Sequence, residues 1–262
     1  MVNPYWSFKE LIKKFILEHR TLKKFYCKSY PNSKYSLDTI IEDILFVLKS
    51  GVSWRDSRSV IHWQSLFWHF QRFTKFNIFG SIFHQLRKSY SSKNSIGLQI
   101  IDSTFILNKF GKNKIARNKF FRNKNCNKIS VVSDSNGIPL SVLIKSGNHH
   151  DLSFIGNHIS DLRILTKKYK SVTLLADKGY VSQKIKNSLI LKKYNLVYPN
   201  KKNMKKVTPI DRNLYKKRIN IEHTFQKLKL FKRILCRYDS FISSYYSFVL
   251  LACSFLIFRK LQ

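Results

Sequence analysis

Residues 127–147 read NKISVVSDSNGIPLSVLIKSG, and Asn136-Gly137 near their centre is a strong signal for a tight turn. Asparagine and glycine adopt positive φ more readily than other residues, so this stretch predicts an antiparallel hairpin of two apolar strands. The residues before it, GLQIIDSTFIL at 97–107, are β-branched and apolar and predict another strand. After the hairpin, helices are predicted at 149–169 and 181–194, and strands at 172–177 and 195–200. Three strands followed by alternating helices and strands predict an α/β fold, with a mixed sheet and helices on its faces.

The first 90 residues carry helical patterns instead. Residues 40–51 have helical apolar spacing with a terminal glycine, and residues 63–76 form an aromatic-rich amphipathic pattern that includes Arg72 and Lys75. A helix, a turn and a basic helix are compatible with a helix-turn-helix DNA reader, although the aromatic residues are expected mainly to form a core. The polar stretch 89–95 predicts a linker. We therefore expect a small all-α, DNA-binding domain at 1–92 and a sheet-containing domain at 93–262.

Charge is the most extreme property of the chain. It has 49 Lys and Arg residues against 14 Asp and Glu residues, a formal net charge of +35. A genomic preference for A and T would enrich lysine, but it would not deplete acidic residues. A polyanionic partner explains the imbalance, and nucleic acid is favoured over an anionic membrane. The hydrophobic content of 44% permits a substantial core and excludes a disordered basic tail.

The chain lacks the sequence features of an exported or membrane protein. Its four cysteines form no C-x-x-C pair, which predicts free thiols in a reducing compartment. The first residues do not resemble a signal peptide. The apolar run 248–258 is shorter than the ~18 residues that a membrane span needs, so it predicts a buried helix. We expect a cytoplasmic protein that does not associate with membranes.

Residues 215–229, YKKRINIEHTFQKLK, surround Glu222 with five cations. On one continuous helix from Asp211 to Leu235, four polar side chains share an arc of about 60°. These are Tyr215, Arg218, Glu222 and Lys229. The alternative for Arg218 is a simple i, i+4 ion pair with Glu222.

Two further acidic residues lie in or at the end of predicted strands. Asp102 lies inside a predicted strand, and Asp177 ends another, where sites in such sheets usually lie. Each has a structural alternative, because Asp102 could bond Ser103 or Thr104 locally and Asp177 could cap the following turn. Three carboxylates beside cations nevertheless predict a site for divalent metal ions and a phosphate.

These residues fall into boxes that occur together in one family. The boxes are Tyr215, Arg218, Glu222 and Lys229 at Y-x2-R-x3-E-x6-K spacing, Asp102-Ser103-Thr104, Ala176-Asp177-Lys178-Gly179-Tyr180, Gly147 with His150-Asp151, Lys128-Ile129, Trp54-Arg55-Asp56, and Arg237-Tyr238-Asp239. In content and order they resemble the DDE transposases of bacterial insertion sequences, in the insertion-sequence-four/five superfamily. The lysine-rich stretch between Asp102 and the hairpin has no clear counterpart in that family.

The resemblance implies a ribonuclease-H-like, retroviral-integrase-like catalytic fold and cut-and-paste transposition. Asp102, Asp177 and Glu222 would be both catalytic and metal-binding, with two Mg²⁺ ions for which Mn²⁺ can substitute. The partners would be double-stranded DNA, as terminal inverted repeats and target, and a second copy of the chain in a synaptic homodimer. DNA contacts are expected from Tyr215, Arg218, Lys229, Lys178, Arg72 and Lys75. Two alternatives remain open: a DNA nuclease of the same fold, and a catalytically silent DNA-binding protein derived from a transposase.

Overall fold

The computed structural model describes residues 4–26, 34–57, 59–199 and 211–262. The predicted basic loop at 201–206 and Cys27 lie outside these ranges. The described helices are α1 Pro4–Glu18, α2 Arg20–Tyr26, α3 Leu37–Ser50, α4 Trp63–Lys75, α5 Ile78–Lys93, α6 Leu152–Thr166, α7 Gln183–Ile190, α8 Arg212–Lys216, α9 Ile219–Lys229, α10 Lys232–Leu235 and α11 Ile242–Leu261. The strands are β1 Leu98–Asn108, β2 Ala116–Asn118, β3 Lys124–Asp134, β4 Pro139–Ser146, β5 Val172–Leu175, β6 Tyr194–Val197 and β7 Cys236–Arg237.

The chain forms two compact units. A helical unit contains Met1–Leu86, Phe110–Asn113 and Leu228–Gln262, and a sheet unit contains Arg87–Lys109 and Lys114–Lys227. This division differs from the expected one at residue 92, because the C-terminal helices pack with the N-terminal ones. The predicted linker at 89–95 was wrong for most of its length, since α5 continues to Lys93. Tyr90 explains the continuation: it is fully buried, and its hydroxyl donates to Asp134 at 2.7 Å.

Local signals in the helical unit fix the ends of α3. The Ser36 hydroxyl accepts the Thr39 N–H at the N-terminus, and Gly51 ends the helix in the left-handed conformation, at φ 72°. A Cβ atom on Gly51 would lie 2.8 Å from the Cβ of Lys232. Glycine is therefore required there both by its backbone angle and by the close approach of the start of α10.

The C-terminal helix α11 completes the core of the helical unit. It packs with α1, α4 and α10, and the ring of Phe248 stacks on Phe70 at a centroid distance of 4.4 Å. The eleven-residue prediction was too short, because the helix has 20 residues and is long and apolar enough to cross a membrane. Within its apolar window, 67% of the residues are buried inside the protein, as in the core helix of a globular unit.

The sheet unit carries the predicted mixed sheet. Its strand order is β4-β3-β1-β5-β6, with β2 pairing the first residues of β3. β1 and β4 are antiparallel to β3, whereas β5 is parallel to both β1 and β6. Three antiparallel strands followed by two parallel ones, with the first strand in the centre, form a ribonuclease-H-like sheet. The predicted strands and the hairpin at Asn136-Gly137 are confirmed.

The hairpin turn also positions α9. The Thr224 hydroxyl donates to the Gly137 carbonyl at 2.6 Å, and the Asn220 amide donates to the Ser135 carbonyl at 2.7 Å. Gly137 has φ 76°, and a Cβ atom there would lie 2.6 Å from the Asn220 carbonyl oxygen. The turn therefore fits closely against the helix that carries Glu222.

The single helix predicted from Asp211 to Leu235 was wrong. The chain forms α8, α9 and α10, separated by short turns. Between Leu214 and Ile221 the backbone bonds run from residue i+3 to residue i, for example from the Arg218 N–H to the Tyr215 carbonyl at 3.1 Å. This tighter winding interrupts the single helical phase on which the common arc of Tyr215, Glu222 and Lys229 was predicted.

Candidate active site

The pairing of β1 with β5 brings two aspartates to one edge of the sheet. Ile100 pairs with Leu175 in parallel register. Asp102 and Asp177 each lie two residues further along, so the same register places them opposite one another. Successive residues of a strand point to opposite faces of the sheet, and residues in register on neighbouring strands point to the same face. The side chains of Asp102 and Asp177 are therefore expected on the same face. The central strand and the neighbouring strand end thus supply the first two predicted acids.

Asp102 is held by one local and one distant donor. Its Oδ1 atom accepts the N–H of Ser103 at 2.8 Å, which is the local bond expected as an alternative. Its Oδ2 atom accepts Nη2 of Arg218 at 2.8 Å. The local structural bond to Ser103 therefore uses only one carboxylate oxygen of Asp102, and the other oxygen contacts the Arg218 guanidinium.

Arg218 pairs with Asp102 rather than with Glu222. Its Nη1 atom donates to the hydroxyl of Tyr215 at 3.0 Å, so two of the predicted DNA contacts meet beside the first carboxylate. Burial alone would lower the pKa of the guanidinium, but the charge of Asp102 and the Tyr215 hydroxyl together raise it. The Nε atom of Arg218 is buried and has no hydrogen-bond partner among the described residues.

The electrostatics of Asp102 are unusual for an ion-paired carboxylate. Burial raises its pKa to about 6, against the lowering effects of the Ser103 N–H and of Arg218, and the charge of Asp177 raises it further. Desolvation and a neighbouring like charge outweigh the salt bridge. A carboxyl group with such a raised pKa is typical of functional sites.

Asp177 also caps a turn, as its structural alternative predicted. It ends β5 and accepts the Gly179 N–H at 2.8 Å, at the start of the 3-10 turn Lys178–Tyr180. Lys178 is exposed on this turn, directly after the second acid. The fully buried Tyr180 has a pKa held well above its usual range by burial and by nearby carboxylates, Asp151 and Asp102 foremost.

Asp151 is a third acid at this edge, and the sequence did not assign it to the site. Asp151 stands at the N-cap position of α6, but its side chain does not cap the helix. It accepts the hydroxyl of Ser103 and Nζ of Lys128, the latter at 3.1 Å, so it is tied to the residue next to Asp102. Both Lys128 and Asp151 lie in the boxes quoted above, which was the available signal.

The predicted third acidic residue, Glu222, is more exposed to solvent than Asp102 and Asp177. Glu222 lies in the first turn of α9, is exposed, and makes no hydrogen bond or ion pair with the described residues. Among those residues, no three His, Cys, Asp or Glu side chains lie close enough to hold a metal ion together. The structure brings Asp102 and Asp177 together and leaves the role of Glu222 a prediction. Lys229 ends the same helix, is half-buried, and has a pKa lowered by burial.

The two predicted DNA contacts of the helical unit lie on α4. Arg72 is half-buried and lies against two neighbouring rings, with its guanidinium carbon 4.0 Å from the Phe25 centroid and 4.9 Å from that of Trp68. Lys75 is exposed at the last position of the helix. Of the aromatic residues on α4, Phe70 and Phe73 are fully buried, as a core-forming role requires.

Comparison with known proteins gives a consistent result. The sequence profile of the family described as "Transposase DDE domain" matches residues 93–257. A transposase for insertion sequence element IS6501 from Brucella ovis is 28% identical over 134 residues, which cover 50% of this chain and 98% of that protein.

Two solved structures are also similar. A cryo-EM structure of the piggyBac transposase synaptic complex with hairpin DNA matches with a TM-score of 0.57 and 12% identity, covering 99% of this chain and 75% of that one. The catalytic domain of Mos1 mariner transposase matches at a TM-score of 0.30 and 10% identity over 58% of this chain and 88% of that one, too low to support a shared fold. Since the family profile spans more than half of the chain and includes all three predicted acids, the protein belongs to the DDE-domain transposases and is a DNA transposase.

Proposed function

We propose that this transposase catalyses metal-dependent strand cleavage and strand transfer at the ends of its insertion sequence, in cut-and-paste transposition. Asp102, Asp177 and Glu222 are the proposed catalytic and metal-binding residues. The observation that carries the proposal is the placement of Asp102 opposite Asp177, with Arg218 paired to the first. A purely structural aspartate would not need a second carboxylate beside it, since each charge raises the cost of the other.

The donors at the sheet edge fit a magnesium site. Mg²⁺ takes one or two carboxylates and fills its remaining positions with water and substrate phosphate. Asp102 and Asp177 supply two hard oxygen donors, and the exposed Glu222 is available as a third. When bound, two Mg²⁺ ions, or Mn²⁺ in their place, would supply charge stabilisation for in-line phosphoryl transfer.

The basic residues around the acids hold the DNA backbone in this proposal. Arg218 is ion-paired with Asp102, which keeps a guanidinium beside the site, and the Tyr215 hydroxyl orients this guanidinium. Lys229 and Lys178 are proposed to contact the phosphates that flank the cut. Because burial already disfavours the charged form of Lys229, an anion that reaches it gains more than it would from a fully hydrated lysine.

The proposed DNA partners are the terminal inverted repeats and the target duplex. The formal charge of +35 supplies the affinity, which counterion release makes strongly salt-dependent. Arg72 and Lys75 are proposed phosphate contacts of the helical unit, which together with residues up to 92 would bind the element ends. We further propose a homodimer in the synaptic complex, and a cytoplasmic, DNA-associated protein in which α11 is a core helix.

Strand-transfer assays separate this proposal from its two alternatives. The full chain is incubated with Mg²⁺, a duplex carrying the terminal repeat that flanks the gene, and supercoiled target DNA. We expect cleaved ends joined to the target. Cleavage without joining would instead indicate a nuclease, and binding without cleavage would indicate a silent DNA-binding protein.

Matched variants test the residue assignment in the same assay. Asp102→Asn, Asp177→Asn and Glu222→Gln should each abolish cleavage while retaining DNA binding. Glu18→Gln, an exposed helical glutamate of the helical unit, is the control and should remain active. Full activity of Glu222→Gln would transfer the role of third acid to Asp151.

A further inference from the structure

The helical unit contains an aromatic cavity that the proposed catalytic chemistry does not use. It has a volume of about 490 Å³, within the range of sites that accept a nucleotide-sized ligand. Trp54, Arg55, Trp63, Phe110 and Tyr238 line it. Trp54, Arg55 and Tyr238 come from two family boxes, Trp63 begins α4, and Phe110 comes from the stretch after Asp102 that has no family counterpart.

A buried ion pair and contacts to the backbone build this cavity. Arg233 donates to both carboxylate oxygens of Asp239, at 2.8 and 3.2 Å, and to the Val52 carbonyl at 2.9 Å. These bonds join the segment before Trp54 to the segment that carries Tyr238. The walls are therefore fixed by the fold of the unit.

The remaining wall is a loop that a fully buried arginine anchors. Arg237 donates from Nη1 to the Asn113 carbonyl and from Nη2 to the Asn113 side-chain oxygen, each at 2.8 Å. The Lys112 N–H donates to the Ser240 carbonyl at 2.9 Å. This anchoring holds the ring of Phe110 5.8 Å from that of Tyr238.

Three features of the cavity point to a planar, hydrogen-bonding group that carries an anion beside it. Phe110 and Tyr238 are 64% and 40% exposed, so two aromatic faces are open to a ligand. The Nε1–H of Trp54 is buried without a hydrogen-bond acceptor in the part of the chain that the structure describes, and such a donor is normally satisfied. Exposed Arg55 lies 4.9 Å from the Trp63 ring, and none of the described residues that line the cavity is acidic.

We propose that this cavity binds an unpaired nucleobase of the DNA substrate. The base would stack on Phe110 and Tyr238, a carbonyl or ring nitrogen of the base would accept the Trp54 N–H, and Arg55 would contact the adjacent phosphate. Bases in a duplex are stacked on both faces, so the ligand is a single-stranded or extruded base. The inference rests on the proposed function in that DNA is the partner, but it requires no cleavage.

The test uses the full chain in EDTA, with a single-stranded oligonucleotide that contains one 2-aminopurine and the matching blunt duplex as probes. We expect 2-aminopurine fluorescence to change when the single strand binds. Trp54→Phe, which removes the N–H together with part of the indole ring, and Phe110→Ala should each weaken single-strand affinity about five-fold or more, with duplex affinity changed less than two-fold. Phe120→Ala removes an even more exposed aromatic ring outside the cavity, 81% exposed, and should have no effect.

Other outcomes would overturn the inference in distinguishable ways. Unchanged single-strand affinity in Trp54→Phe and Phe110→Ala, with wild-type strand transfer intact, would reject the cavity alone. If Trp54→Phe and Phe110→Ala lost as much affinity for the duplex as for the single strand, or if Phe120→Ala lost as much affinity as they did, the rings would only make general contacts with DNA. No binding of either probe by the wild type would reject the proposed function as well. If Phe110→Ala unfolds at a lower temperature than the wild type, Phe110→Leu replaces it, because leucine keeps the apolar bulk without a ring. Phe110→Leu must then show the same loss of single-strand affinity.

Discussion

Asp102→Asn should make the protein more stable although it removes a residue that we propose to be catalytic. The pKa of Asp102 is raised from 3.8 to about 6, which means that folding disfavours its ionised form. Each tenfold change in proton affinity corresponds to about 1.4 kcal/mol, so the penalty above pH 6 is on the order of 3 kcal/mol. Asparagine keeps the shape and the Ser103 bond without the charge. Because Arg218 loses its partner, we expect a gain of about 1–3 kcal/mol in the free energy of unfolding.

The pH dependence gives this prediction its sign. Between about pH 4 and 6 the folded wild-type protein binds more protons at Asp102 than the unfolded chain does, so its stability falls as the pH rises through this window. The advantage of Asp102→Asn should therefore be small near pH 4 and full above pH 6. Urea unfolding followed by circular dichroism, in EDTA at pH 4.5 and pH 8, measures it.

Asp161→Asn is the matched control. Burial alone would raise the pKa of Asp161, but its bonds and charge interaction with Arg87 outweigh burial and lower it. That variant should destabilise the protein at pH 8. A loss of stability in Asp102→Asn at pH 8, similar to that in Asp161→Asn, would show that Asp102 is an ordinary salt-bridged carboxylate and would refute the electrostatic reasoning.

Three further predictions concern metal binding, the basic residues and the hairpin. Mn²⁺ affinity should increase as the pH rises through about 6, because Asp102 must be ionised to bind, and titration calorimetry at pH 5 and 7.5 measures this; a flat profile would contradict it. Lys229→Ala should slow cleavage and strand transfer at least ten-fold and weaken overall DNA affinity less than three-fold, since one phosphate contact among many adds little to binding; intact catalysis or an unfolded protein would make Lys229 structural. Gly137→Ala should destabilise the protein by more than about 1 kcal/mol, because of its positive φ and the nearby Asn220 carbonyl, and thermal unfolding tests it.

The sheet could be predicted because its signals are local. Alternating or continuous apolar runs, with Asn136-Gly137 between two of them, identify β1, β3, β4 and β5 without knowledge of their neighbours. The parallel register of β1 with β5 then follows from the fold, and it brings Asp102 to Asp177. The resemblance to a known family supplied what periodicity did not, namely the assignment of transposition.

What the sequence did not reveal depends on tertiary contacts. The break between α8 and α9 is set by tightened backbone bonds around Arg218 and by the docking of α9 on Gly137, and helical periodicity does not report either. The contact of Asp151 with Ser103 joins residues 48 positions apart. The packing of α11 with α1 and α4 likewise depends on contacts across most of the chain, so a division at residue 92 could not anticipate it.

Counting bound metal ions tests the central claim most directly. Electron paramagnetic resonance of Mn²⁺ titrated into the full chain with terminal-repeat DNA reports free ion and hence the number bound. We predict two ions per wild-type chain, and the loss of at least one in Asp102→Asn, Asp177→Asn and Glu222→Gln but not in Glu18→Gln. Wild-type stoichiometry and affinity in both Asp102→Asn and Asp177→Asn would contradict the proposal that these acids form the metal-dependent active site.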